Sequence, residues 1–590
     1  MTTTAIETVP RGGEWLLEAA PQETIFTPER MTEEHRLIRQ TAQEFTDEVA
    51  GHTEQLETKD WDLTRELLRR AGELGLLATD VPEAYGGLAL DKASAAVIAG
   101  CLGQCGSFSA TYGAHANLAI LPIRMFGTDE QKQRYLPSLV TGETVGAYCL
   151  SEAGSGSDAL GAKARAARQA DGSFVLNGEK MWITNGGFAD LYIVFAKVDG
   201  EHFTAFIVER GFDGVSTGKE EHKMGLHGSS TTPVILQDVR VPADNLLGEV
   251  GKGHKVAFNV LNYGRFKLGA STVGGARGAI GESARYAASR RQFGQPIASF
   301  GAVKHKIGGM VARTYALESM VFRTVGLIDG TLEGVDPGDG GAILRALEEY
   351  AVESSILKVA GSETLHDVLD ENVQIHGGNG FVRDYPAERH YRDSRVNRIF
   401  EGTNEINRLL IPGMLVKRAV KGDLPLTPAA KKLQDDILPP SGAAAAPDGP
   451  LGAAAASVGM FRKVGLAVIG LAMQTYGQKL SEQQEVLSFA ADVVIDTYAA
   501  DSAVARARAA AASGATGADL QADAAASYVD GAAMRIETTA RSAFAAMAEG
   551  DELRTRLAGL RRLLKVTPAN DVRLRRRLSD AAVERGAYPL

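Results

Sequence analysis

The sequence predicts a multidomain α+β protein, mostly helical, in the order helical, β, helical, linker, helical. Three observations carry that reading. At 590 residues the chain is far too long for one hydrophobic core. Apolar residues recur at helical spacing across 27–145, again from Lys255 to Ala419, and again after 457. Between the first two helical blocks lie short β-rich runs bounded by Gly and Asn. The expected domains are an N-terminal arm (1–26), an N-terminal helical domain (27–146), a small middle β-barrel or sandwich (147–250), a helix bundle (251–420), a Pro/Ala/Gly linker (421–456) and an extra C-terminal helical domain (457–590).

Taken in order, residues 1–26 carry little pattern and are expected to lie on the surface. Thr27-Pro28-Glu29 has the proline-in-first-turn signature of a helix start, and Leu37, Ile38, Ala42, Phe45 and Val49 follow at helical spacing. Pro82 and Gly86-Gly87 break the helical signal, which resumes over Ala95–Cys105 and Asn117–Phe126. Strand-like runs follow at Phe174–Gly178, Met181–Gly186, Leu191–Val198, Phe203–Val208, Val234–Leu236 and Val239–Pro242. Ile307, Val311, Tyr315, Leu317, Met320 and Val321, then Ile343–Val359, have the length and pattern of a bundle. The stretch holding Pro425, Pro428 and Pro439-Pro440, then SGAAAAPDGPLGAAAAS, has too few large apolar groups to build a core. Ser481-Glu482-Gln483-Gln484 reads as a capping box ahead of Val486, Leu487 and Phe489.

The totals exclude several classes. A formal net charge of −10 gives no general attraction to nucleic acid, and no nucleic-acid partner is expected. Three cysteines, Cys101, Cys105 and Cys149, make no disulfide framework, and no spaced His or Cys completes a metal site. The first residues lack a basic region followed by an apolar run, and the longest apolar stretches, such as Val464–Met473, are short for a bilayer. The expected location is the cytoplasm, with membrane association through the Arg-rich C-terminal region left open.

Five stretches could carry chemistry. Arg398–Arg408 reads as a loop that delivers Glu401 to the mouth of a helix, with Gly402 permitting close backbone approach, Thr403 or Asn404 as cap, and Glu405 in the first turn. A helix-dipole partner or half of a salt bridge would look the same. Tyr148–Asp158, rich in Ser and Gly, could approach a phosphate or be a tight interdomain turn. Trp182 and Thr184, two apart in a strand, could back a flat ring and bond its edge, or be core residues. Tyr286–Pro296 ends a helix with Arg290 and Arg291, suited to diphosphate or to solvent. Gln374–Phe381 packs three glycines into four residues, implying close approach of backbone to something.

In type and order these stretches resemble the acyl-CoA dehydrogenase family of flavoproteins. GAYCLSEAGSGSD, KMWITNGG, RRQFGQP, QIHGGNGF and RIFEGTNEINR are specific together, and the resemblance covers roughly 30–420. LNYGRF, FGQPIASFG and the long tail are similar to the very-long-chain branch. The resemblance implies FAD as cofactor, with Tyr148, Leu150, Ser151, Gly156 and Ser157 along the ring and phosphates and Trp182 and Thr184 on the isoalloxazine. It implies Arg290, Gln292, Phe293, Gln374, Gly378, Thr403 and Glu405 at the ADP half, partly across a homodimer. Ser157, Asn262, Gly264, Arg265 and Gly402 would line the acyl-CoA site, and Glu401 would be the base. Ser151 stands where the family often has Thr, and Ala153 where it often has Pro. Gly264 occupies the position where some branches carry their catalytic Glu, which leaves Glu401 alone in that role.

The implied reaction is α,β-dehydrogenation of a fatty acyl-CoA thioester to the trans-2-enoyl-CoA, the first step of fatty acid β-oxidation, with long chains expected. Electrons would pass to an electron-transfer flavoprotein. Relatives that use oxygen are the alternative acceptor reading, and Glu401 rather than Asp argues against their nitroalkane branch. A DNA-binding or assembly role through Arg554–Arg577 is the non-enzymatic alternative.

Overall fold

The computed structural model describes residues 9–19, 25–437 and 450–590. The first helical block contains α1 (Glu33–Gly51), α2 (Trp61–Glu73), α3 (Lys92–Leu102), α4 (Ser107–Gly113, running through a π-helical stretch, Ala114–Ile120, into Leu121–Phe126) and α5 (Asp129–Val140). Thr27-Pro28 opens only a 3₁₀ turn, Pro28–Arg30. The helix proper starts at Thr32, whose hydroxyl accepts from the His35 N–H while the His35 ring accepts from the Thr32 N–H. This is a capping box with His in the usual Glu position.

The middle block is one eight-stranded sheet: β1 (Gly146–Cys149), β2 (Arg165–Arg168), β3 (Phe174–Thr184), β4 (Leu191–Val198), β5 (His202–Glu209), β6 (Val215–Thr217), β7 (Thr231–Val241) and β8 (Leu246–Leu247). The order is β6-β7-β3-β2-β4-β5-β8, with β1 parallel to β4. Strand β4 is apolar on both faces because both are covered. Leu191, Ile193 and Phe195 pack against the N-terminal helices, while Tyr192, Val194, Ala196 and Val198 enter the sheet's own core. β1, β2, β3, β5 and β7 also send side chains into that inner core, so the sheet folds over on itself as a barrel or sandwich does.

The bundle comprises α6 (Gly253–Ser289), α7 (Gly301–Leu332), α8 (Gly340–Glu349), α9 (Ala351–His376), α10 (Pro386–Ser394) and α11 (Asn404–Lys421). The extension adds α12 (Leu426–Ile437), α13 (Pro450–Tyr476), α14 (Gln484–Ser513), α15 (Ala518–Met547), α16 (Gly550–Leu563) and α17 (Asp571–Arg585). Bundle and extension share one hydrophobic core. Buried ion pairs cross between them: Arg506 of α14 holds Glu318 of α7 at 2.8 Å and Glu29 at 2.7 Å, and Arg323 of α7 holds Asp501 of α14 at 2.8 Å.

Four expectations change. The described part of the arm, 9–19, does not simply lie on the surface: Trp15 and Leu16 are 4% and 0% exposed. The Trp15 indole and the Gly13 N–H both donate to Glu353 Oε1 of α9, and Arg462 of α13 donates to the Trp15 carbonyl. The arm is thus a wedge between bundle and extension. The expected linker contains α12 and the start of α13, because Pro428 falls in a first turn, where its missing N–H costs nothing, and the alanine run favours helix; Pro439-Pro440 lies outside the described residues. Ser481 forms no capping box; it sits in a 3₁₀ stretch, Gly477–Glu482, and α14 starts after Gln483 without a side-chain cap. Finally, Leu451–Glu482 is long and apolar enough to cross a bilayer, yet 61% of its most apolar window is buried. Phe461, Val464, Val468 and Ile469 spend that apolar character in the core.

Candidate active site

Glu401 and Gly402 both take left-handed backbone conformations, with φ of 55° and 79°. A glutamate there is uncommon and persists only when its surroundings impose it. Asn407 Nδ2 donates to the carbonyls of Gly402 (2.9 Å) and Thr403 (3.0 Å), and Arg265 Nε donates to the Glu401 carbonyl at 3.2 Å. Arg265 is fixed in turn by Asn262 Oδ1 at 2.9 Å. Thr403 Oγ1 accepts from the Ile406 N–H and caps α11, while Glu405 sits exposed in its first turn.

The Glu401 carboxylate is thereby pressed onto α6 at Gly264. A Cβ added there would lie 2.7 Å from Oε1 and 2.8 Å from Oε2. Oε2 is shut off from solvent and has no hydrogen-bond partner among the described residues. Burial pushes the Glu401 carboxyl up to about 7, against the opposing pull of the Arg265 and Lys358 charges. Burial therefore outweighs those two cations in setting the acidity of this group. Arg265, 6% exposed, is itself lowered to about 10 by burial, and Lys358, fully buried on α9, to about 8. The Tyr148 hydroxyl is also buried without a partner, and burial together with the Glu401 charge raises its pKa. Two buried polar groups without a partner among the described residues, one of them a carboxylate whose charge reaches the other, mark a place where something else can bind.

The glycine-serine stretch and the Trp182 strand meet beside this point. The Met181 N–H donates to the Ser151 carbonyl at 2.9 Å, and Lys180 reaches the Leu150 carbonyl and Glu152. Glu152, 7% exposed, also accepts from the N–H groups of Lys163 and Ala164, so the turn is pinned from inside. Its outer side is open: no atom lies within 4 Å of a Cβ added at Gly154 or Gly156, and Ser157 is exposed. A β-bulge at Trp182 (φ 58°) turns the indole out, 55% exposed, and Trp182 and Thr184 flank the buried Ile183.

The remaining predicted residues lie elsewhere. Arg290 ends α6, 26 residues beyond Gly264, which is ~39 Å along a continuous helix. Gln292 and Phe293 form the hairpin that follows, with Phe293 93% exposed at φ 50°. Gln374 is exposed near the end of α9, and Gly378 faces open space.

Family comparisons agree with this layout. The descriptions "Acyl-CoA dehydrogenase, N-terminal domain", "middle domain" and "C-terminal domain" match residues 32–143, 147–239 and 251–413. A further description, also "Acyl-CoA dehydrogenase, C-terminal domain", matches 460–562. A Bacillus subtilis strain 168 protein named "Probable acyl-CoA dehydrogenase" is 48% identical over 98% of both chains. The chain belongs to the acyl-CoA dehydrogenase family. A crystal structure of an acyl-CoA dehydrogenase complexed with FAD from Bacillus anthracis is 47% identical, with a TM-score of 0.97 over 98% of this chain and 100% of that one. The human mitochondrial very long-chain specific acyl-CoA dehydrogenase is 41% identical over 58% of this chain and 51% of that one.

This acyl-CoA dehydrogenase is an FAD-dependent oxidoreductase. Its residues fit the flavin: an outward indole two residues from a threonine, an open Gly-Ser turn, and a buried tyrosine hydroxyl without a partner among the described residues. Lys358 and Asn407 were missed from the sequence, and Asn404, read there as a possible cap, instead bonds Lys358 and Glu363 with its side chain. A lysine inside the apolar run Ile356-Leu357-Lys358-Val359 was the available signal, since a buried charge needs a reason.

Proposed function

We propose that Glu401 is the base that removes the α-proton of an acyl-CoA thioester, giving the trans-2-enoyl-CoA. The observation that carries this is a sequestered carboxylate with no hydrogen bond of its own to Oε2, seated on Gly264 and raised to about 7. FAD, when bound, accepts the β-hydrogen with its electron pair. Everything else falls to the protein. Gly264 leaves the space that the carboxylate occupies. Arg265 and Asn407 hold the Glu401–Thr403 backbone in the conformation that aims the side chain. The Glu401 N–H serves the thioester oxygen, stabilising negative charge as the proton leaves. Bound ligand excludes water and strengthens the base. Trp182 and Thr184 lie along the isoalloxazine, with Tyr148, Leu150, Ser151, Gly156 and Ser157 completing the ring and phosphate side. Asn262, Gly402 and Ser157 line the thioester's approach.

The ADP half is assigned to Arg290, Gln292, Phe293, Gln374, Gly378, Thr403 and Glu405, some of them from a second copy of the chain. The family resemblance supports a homodimer, and the exposed Phe293 hairpin, ~39 Å along α6 from Gly264, is free to meet a second copy. Similarity to very long-chain relatives supports long substrates, and the family resemblance supports an electron-transfer flavoprotein as acceptor. The net acidic chain argues against nucleic-acid contact through the Arg-rich end, and Arg554, Arg556, Arg575 and Arg577 there each have a carboxylate partner.

Anaerobic bleaching of the flavin by a ladder of acyl-CoA lengths tests this. The fastest reduction is expected with long chains, and no bleaching at any length would overturn the reading. Air admitted to the bleached enzyme should restore colour slowly. The pH profile is a second check. The base works ionised, so kcat/KM should rise with pH through about 7 and then level off. A flat profile from pH 5 to 8 contradicts the assignment.

A further inference from the structure

Thr403 and Asn404 are the first residues after the Glu401-Gly402 turn, and Asn404 is 1% exposed. Its side chain is fully engaged. Oδ1 accepts from Lys358 Nζ at 2.7 Å, and Nδ2 donates to Ser362 Oγ at 3.0 Å and to Glu363 Oε1 at 3.0 Å. One helical turn on, Arg408 grips Glu363 with two parallel bonds, Nη1 to Oε1 at 2.7 Å and Nη2 to Oε2 at 2.8 Å. The remaining edge of that guanidinium points out of the bundle: Arg408 Nε donates to Asp492 Oδ1 at 2.7 Å. Asp492 belongs to α14, in the extension.

The contacts form a continuous chain from Asp492 through Arg408, Glu363 and Asn404 to Lys358, whose charge acts on Glu401. Three features separate it from an ordinary surface pair. Arg408 is 18% exposed and Glu363 30% exposed on their side chains, so neither is freely solvated. The Arg408–Glu363 fork is bidentate, which fixes orientation as well as distance. The anchored residues, Asn404 and Arg408, lie on the first two turns of the helix whose N-terminus presents Glu401.

We propose that Asp492 is a positioning residue for proton abstraction, and that the extension completes the site rather than decorating it. This rests on Glu401 being the base. Asp492 fixes the third edge of Arg408. The locked Arg408–Glu363 fork then sets Asn404, and Asn404 sets both the start of α11 and the Lys358 ammonium. Without Asp492, the Arg408–Glu363 fork can shift as a unit, and the Glu401 carboxylate loses its fixed approach to the α-carbon.

The test is single-turnover flavin reduction by acyl-CoA in the full-length, FAD-loaded enzyme, comparing Asp492→Ala and Asp492→Asn, each alone and combined with Glu401→Gln. Asp492→Ala is expected to slow reduction ~10-fold, below the ~10²-fold that an ångström of misplacement can cost. Asp492→Asn, which keeps an acceptor for Arg408 Nε, should recover most of the rate. The Kd for enoyl-CoA, read from the flavin spectrum, should not change. In the Glu401→Gln background Asp492→Ala should slow nothing further, because its effect runs through Glu401. A residue that merely supports the fold would lower flavin retention and slow both backgrounds alike, and that result overturns the proposal, as does a parental rate in Asp492→Ala. If Asp492→Ala fails to fold, Arg408→Lys carries the test, since an ammonium cannot serve Glu363 twice and Asp492 at once; a parental rate there is equally fatal. Normal reduction by Glu401→Gln alone would instead remove the base reading itself.

Discussion

Glu401→Gln is expected to keep its flavin and its fold and to lose at least ~10²–10⁴-fold in the rate of flavin reduction, the range of a general base. The amide matches the carboxylate in shape and can sit over Gly264, so the loss reports chemistry rather than packing. Stability supplies an independent reading. The folded-state pKa of Glu401 is raised to about 7 from an ordinary value near 4.5. An acid raised in this way favours folding fully below its unfolded value, and that contribution is lost as pH climbs to the folded one. The parent should therefore weaken relative to Glu401→Gln between pH 4.5 and 7, with the gap constant above. Thermal melts at pH 4 and pH 8 check the sign, and reduction at the parental rate would end the assignment.

Gly264→Ala should be nearly as damaging by a different route. Its Cβ would stand 2.7–2.9 Å from the Glu401 carboxylate, a separation that cannot persist. The obstructing atoms are the far end of a flexible side chain, not backbone, so the protein yields by moving the carboxylate and keeps its fold. We expect intact flavin absorbance, an unchanged melting temperature to within a few degrees, and a ~10²-fold slower reduction, the cost of displacing a reacting group by about an ångström. Full activity in this variant would show that the carboxylate does not work from its place over Gly264.

What the sequence disclosed was what its chemistry keeps local. Gly402, Thr403 and Glu405 declare a strained turn and a capped helix within a few positions of Glu401, and Thr403 is indeed the cap. The sequence leaves Trp182 and Thr184 open between a ring-facing pair and core residues; the bulge shifts the alternation between Lys180 and Ile183, both buried, and turns the Trp182 indole out. Lys358, Asp492 and the inward bonds of Asn404 were not legible, since each takes its meaning from a residue on another helix. Ser481 misled because its capping pattern satisfied a local rule that the incoming 3₁₀ turn displaced. The alanine-rich 450–457 misled in the opposite sense: few large side chains argued against a core, but alanine against neighbouring helices lets backbones approach, and Ala454 is buried.

The wedge at Trp15 has a consequence for how the chain comes to be folded. Its indole waits for Glu353 and its carbonyl for Arg462, 447 residues downstream. Closing so long a loop is entropically costly before any contact repays it, so this seat is expected to fill late in folding. Until α13 is made, Trp15 and Leu16 are a short greasy lure on an unfinished protein, open to chaperones and to other nascent copies. Folding of this seam is complete only when Trp15, Glu353 and Arg462 hold one another in place.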